Sequence, residues 1–204
     1  MTERRYYTGI GSRKTPPDVL ELMGVVARKL EQDGWILRSG GAGGADLAFG
    51  EAVTAWGNKE VFLPWKGFAQ GGFFQYDPAL WREAELIASD PLVYPLWNFD
   101  TGSSAGPNPK RDAVRKLQTR NVFQVLGKDL RTPSSFVLCW TPDGAVSRKE
   151  WRRGITGGTG TAINLASIRN IPVFNLQRPD HRARIEKWLG ITATNEPTTL
   201  ELAL

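Results

Sequence analysis

Three short segments hold the residue types that bind an anion: Gly11-Ser12-Arg13, Ser39-Gly40-Gly41-Ala42-Gly43-Gly44-Ala45-Asp46 and Thr156-Gly157-Gly158-Thr159-Gly160-Thr161. Without a Cβ the backbone can come close to a ligand. Amides just ahead of a helix, reinforced by its dipole, favour negative charge. Arg13 can grip a phosphate with two N–H groups, or remain a solvated loop cation. Asp46, in the first turn of a helix, can cap amides or accept hydrogen bonds from a ribose. Neither glycine loop ends in Gly-Lys-Ser/Thr, which excludes a P-loop, and the second lies too late in the chain for a conventional dinucleotide dehydrogenase. Two glycine loops and a Gly-Ser-Arg turn on one sheet edge point to a ligand rather than to tight turns alone.

Other reactive types are sparse. One cysteine, Cys139, and one histidine, His181, exclude a disulfide framework and a cysteine- or histidine-based metal site, so no metal and no cofactor is expected. Cys139 lies in an apolar strand and reads as core. His181, beside Pro179 at the start of the last helix, reads as surface. Glu51 reads as a helix-surface charge. Lys110, Arg111, Arg115 and Lys116 lead to Arg120-Asn121, a run that is either a solvated face or a contact for a polyanion.

The elements that must position these residues alternate. Residues 6–10 read as a strand, followed by a helix entered at Pro16 and Pro17, with Asp18 in its first turn. Val19, Leu22, Met23, Val26, Ala27 and Leu30 form one apolar helical face, and Gly34 stops it. A strand at 35–37, a helix at 45–56 and a buried strand at 60–63 follow. Beyond the middle of the chain, residues 135–140 and 171–175 read as strands, and 159–169 and 180–189 as helices. This pattern predicts an α/β fold, a Rossmann-like open and mostly parallel sheet with helices on both faces. Ligands bind such sheets beyond the carboxyl ends of the strands.

Residues 64–109 break the alternation. They are rich in Gly, Pro and large rings (Trp65, Phe68, Phe73, Phe74, Tyr76, Trp81, Trp97, Phe99), and read as an aromatic-rich insertion folded over the C-terminal sheet edge. Residues 110–126 read as a basic amphipathic helix returning to the core. One domain over 1–190 and a tail over 191–204 are expected. The 204 residues are 41% hydrophobic and 23% charged, ordinary for a globular protein. The first residues lack an apolar signal region and no apolar run spans a membrane, so a cytoplasmic location is expected. A net charge of +5 favours anionic partners.

Taken in order, Gly11-Ser12-Arg13, Ser39 to Asp46, Arg120-Asn121, Gly157 to Thr161 and Ile171-Pro172-Val173-Phe174 resemble the core of the DprA/Smf proteins. More broadly they resemble the SLOG superfamily, over residues 6–63 and 110–176. The combination also looks like small stand-alone members from bacteriophages, which implies a phage origin. The related LOG phosphoribohydrolases carry Pro-Gly-Gly-x-Gly-Thr-x-x-Glu. Thr156 stands here at the proline position and Asn164 at the glutamate, and an amide cannot serve as general base.

The resemblance implies a nucleotide or nucleotide-derived ligand. Gly11, Ser12, Arg13 and the Ser39–Gly44 loop would hold one phosphate-bearing part, and Gly157, Gly158, Thr159, Gly160 and Thr161 another. Asp46 would orient a ribose, with Arg120 and Asn121 beside it. Trp65, Phe68 and Trp140 are the candidate stacking rings. Two alternatives stand beside this. One is a DprA-like binder of single-stranded DNA using the basic run and Arg13; the other is an N-glycosidic hydrolase using Asp46 or Glu51. A homo-oligomer is implied by the resemblance.

Overall fold

A computed structural model describes residues 4–69, 71–98 and 108–191. Five strands, β1 (Arg5–Gly9), β2 (Trp35–Ser39), β3 (Lys59–Val61), β4 (Val137–Cys139) and β5 (Val173–Asn175), form an all-parallel sheet in the order β3-β2-β1-β4-β5. Among the described residues six α-helices accompany them: α1 (Pro17–Gln32), α2 (Ala45–Ala52), α3 (Pro78–Ser89), α4 (Pro109–Leu126), α5 (Thr159–Ile168) and α6 (Pro179–Trp188).

Alternation along the strands sends successive side chains to opposite faces, and each face has its own core. Val137 and Cys139 of β4 pack with Val122 and Phe123 of α4 and Ile163 of α5. Leu138, between them, packs with Met23 and Val26 of α1, Phe49 of α2 and, at the margin, Ile185 of α6. Helices therefore cover both faces, as a Rossmann-like open sheet requires. Strand order reverses between β1 and β4, which opens a crevice at their carboxyl ends.

α1 forms as its pattern dictates, with Pro17 at its first position and Asp18 in its first turn. α2 is shorter than expected and stops at Ala52. Val53 is extended, and the Glu31 carboxylate takes the amides of Thr54 and Ala55 (3.1 and 3.0 Å), drawing the chain off the helix. β3 likewise ends early, at Val61, and Phe62 makes an isolated bridge to Phe73 of the insertion, Leu63 donating to the Phe73 carbonyl and Phe73 to that of Val61.

The largest correction concerns α4. It is not amphipathic throughout: Asn108 caps its exposed, basic first half, while every residue from Gln118 to Leu126 is buried. The reason is the insertion. α3 packs along α4 and buries Ala84 and Ala88, and Tyr76 and Trp81 stack near Phe123 (ring centroids 4.5 and 6.0 Å). These rings form a small core over α4, with the Tyr76 hydroxyl donating to the Leu63 carbonyl at 2.8 Å. Phe99 and residues 192–204 lie outside the described residues. Among the described residues no helix is long and apolar enough to cross a membrane.

Candidate functional site

At the strand-order reversal lies a crevice of about 650 Å³. Its walls are the Ile10–Lys14 turn after β1, Gly41, Ala42, Gly43 and Asp46 after β2, and Thr156 to Thr159 ahead of α5. One face of α4 closes it with Leu117, Arg120, Asn121 and Gln124, and Phe68 of the insertion leans over it. Spacing of three and four puts those α4 side chains on one side of the helix.

The floor is a buried ion pair. Arg120 Nη1 lies 3.5 Å from Asp46 Oδ2, and both side chains are about 95% covered (5% and 6% exposed). Asp46 also accepts the amides of Gly11 (3.3 Å, Oδ1) and Ala42 (3.4 Å, Oδ2), tying the β1 and β2 loops together. Burial pushes the Asp46 carboxyl up from its ordinary range, opposed by the Arg120 charge and these two amides. The guanidinium stays protonated. A Cβ on Gly40 would collide with the Arg120 guanidinium and come 2.6 Å from Asp46 Oδ2, so a side chain there would have to displace the pair. Arg120 Nε and Gln124 Nε2 are buried without a hydrogen-bond partner among the described residues.

Opposite stands the N-terminus of α5. Gly157 is left-handed (φ +68) and Gly158 right-handed (φ −66, ψ −25), the alternation that turns successive amides toward one point. The amides of Gly157, Gly158 and Thr159 have no partner among the described residues. This loop is held from behind. Asn121 Nδ2 donates to the Gly158 carbonyl (3.0 Å) and to Gln118 Oε1 (3.2 Å), which also accepts the Thr161 hydroxyl. Arg13 and Lys14 stand exposed at the rim, in no ion pair among the described residues.

The residues expected at the site thus divide. Gly11, Ser12, Arg13, Gly41, Ala42, Gly43, Asp46, Phe68, Arg120, Asn121, Gly157, Gly158 and Thr159 line the crevice together. Ser39, Gly40, Gly44, Gly160 and Thr161 stand behind it. Ser39 Oγ donates to the Gly9 carbonyl at 2.8 Å, and Gly160 makes room for the Trp151 ring. A Cβ on Gly44 would meet Arg13 Cα at 2.7 Å, so this glycine lets two loops touch.

Trp140 is not at the crevice: its ring is buried in the α1–α2 core and its Nε1 donates to Gln177 at 2.8 Å. Trp65 does not line it either, and meets Phe68 edge-on at 5.2 Å. Asn164 is buried with Nδ2 donating to the Val93 carbonyl, away from the crevice lining. Glu51 is exposed on α2. Lys14, Gln118 and Gln124 were missed. A polar run Gln118-Thr119-Arg120-Asn121 with Gln124, in a helix bound for the core, was the available signal. Among the described residues no three His, Cys, Asp or Glu side chains gather to hold a metal.

No family model matches this chain, and no curated protein matches it. A structure of DNA processing protein A from Helicobacter pylori, described for its single-stranded DNA binding mode, is similar at 15% identity. The match covers 91% of this chain and 80% of that one, with a TM-score of 0.35.

Proposed function

We propose that the crevice binds a nucleotide or nucleotide-derived small molecule, with its phosphate between the α5 N-terminus and the rim cations. One observation carries this reading: the free amides of Gly157, Gly158 and Thr159 share a crevice with exposed Arg13 and Lys14. Oriented amides at a helix N-terminus, faced by mobile cations, are complementary to a phosphate. The volume fits one nucleotide, since small-ligand pockets run from about 300 to 1,000 Å³.

The chemistry favours binding over hydrolysis. Among the described residues Asp46 is the only carboxylate lining the crevice, and its oxygens accept two amides and face Arg120. The position that would carry a catalytic glutamate holds Asn164, turned toward Val93.

A thermal-shift panel of nucleoside mono-, di- and triphosphates, ADP-ribose, cyclic nucleotides and oligo-dT, at two salt concentrations, tests the reading. A ligand at a hundred times its Kd stabilises by about 2.7 kcal/mol. A shift with a small nucleotide that survives high salt supports the reading. A shift with oligo-dT alone, lost at high salt, replaces it with a strand-binding surface built on Arg13, Lys14 and the exposed half of α4.

A further inference from the structure

The crevice is polarised, and that polarity gives the ligand a direction. Arg13, Lys14 and the free amides make the rim positive. At the floor Asp46 neutralises Arg120. A phosphate placed there would be attracted by Arg120 and repelled by Asp46 at similar distances, with little net gain. The floor nevertheless holds unmet hydrogen-bonding capacity. Among the residues lining the crevice, the two buried side-chain atoms without a partner are Arg120 Nε and Gln124 Nε2, and both are donors. They belong to residues one turn apart on the same side of α4. Burying a donor unpaired is costly.

Phe68 defines the shape of what would meet these donors. Its ring lines the crevice with its centroid 5.8 Å from the Arg120 guanidinium carbon, so an aromatic ring stands beside the floor donors. Two unpaired donors on one side of a helix call for a planar group with two adjacent acceptors and no donor between them. The O6–N7 edge of a 6-oxopurine is such a group, whereas a 6-aminopurine offers N7 beside a donating amino group.

Resting on the nucleotide reading above, we infer that Arg120 and Gln124 read the base, and that the site selects 6-oxopurine nucleotides over 6-aminopurine nucleotides. The base enters first, under Phe68, and the phosphate stays at the rim. The 6-amino group would meet the floor donors head-on and leave one without an acceptor.

Calorimetric titration of the full chain with inosine and adenosine monophosphates tests this, since the two bases differ at the edge in question. Inosine monophosphate is expected to bind about tenfold tighter or more. In Gln124→Leu, or Gln124→Met as the second variant of like shape, that ratio falls toward one. Equal affinities in the unaltered protein, or tighter adenosine monophosphate, overturn the inference and leave the nucleotide reading standing. An unchanged ratio in both variants overturns the role of Gln124. If neither monophosphate nor any other small nucleotide binds, the nucleotide reading itself fails, and the base preference with it.

Discussion

Asp46 and Arg120, 74 positions apart in the chain, meet at 3.5 Å beneath the crevice, in a space that exists because residue 40 has no side chain. The pair joins three segments at once, since Asp46 also holds the amides of Gly11 and Ala42. Its stabilising value and its value to a ligand are separable, because breaking a buried pair costs more than replacing it.

Arg120→Met alone leaves Asp46 buried and uncompensated, and is expected to destabilise the protein by about 3–5 kcal/mol. Asp46→Leu combined with Arg120→Met removes both charges and should recover most of that loss. Urea denaturation of the two single variants and the double variant measures the coupling directly. A double variant no more stable than Arg120→Met would show that the pair is not the tie described.

Gly40→Ala places a methyl group on the Arg120 guanidinium. The expected cost is about 1–3 kcal/mol, from overpacking. Gly43→Ala is the matched control, since a Cβ there meets nothing within 4 Å, and its stability should stay within about 0.5 kcal/mol of the parent. Thermal denaturation of both variants is sufficient.

Gln124→Leu should make the unliganded protein more stable by about 1 kcal/mol, because an unpaired buried amide nitrogen is replaced by an apolar group of similar size. A gain in stability together with a loss of base preference is the signature of a residue kept for binding. A loss of stability would instead indicate that the Gln124 side chain supports the fold.

His181 provides a pH test remote from the crevice. Its Nδ1 accepts the Asn175 amide at 3.0 Å and its ring lies 5.6 Å from Phe174, so the neutral form is the one that fits. Burial holds its pKa below the ordinary 6.5. The unfolded chain therefore takes up the proton first as pH falls. The contribution is fully present above pH 6.5 and is lost progressively below it. Urea midpoints from pH 8 to pH 5 should fall in the parent more than in His181→Gln, and parallel curves would contradict this role.

The sheet was legible because its signals are local. The apolar face of α1 and the glycine loops after β1 and β2 each declare themselves within a few residues. What escaped depended on distant contacts. Glu31 draws Thr54 and Ala55 out of α2 from 23 and 24 positions away. The insertion covers one side of the second half of α4 while Asp46 and Gly40 receive Arg120 on another, which turns an apparently solvent-facing charge into the floor of the site. Trp140 read as a stacking ring because it ends a strand at the correct edge. The parity of β4 puts its ring on the same α1 side as Leu138, away from the α4 wall of the crevice. His181 read as surface because its partner, the Asn175 amide, is supplied by the end of β5.

The most direct measurement is a calorimetric titration of a nucleoside monophosphate and its parent nucleoside into the unaltered protein and into Arg13→Ala/Lys14→Ala. The account predicts one site per chain, weaker binding of the nucleoside, and about tenfold weaker monophosphate binding in the double variant, from loss of two charge-assisted contacts. Nucleoside and monophosphate binding with equal affinity, or the double variant binding as tightly as its parent, would contradict a phosphate held between the rim cations and the α5 N-terminus.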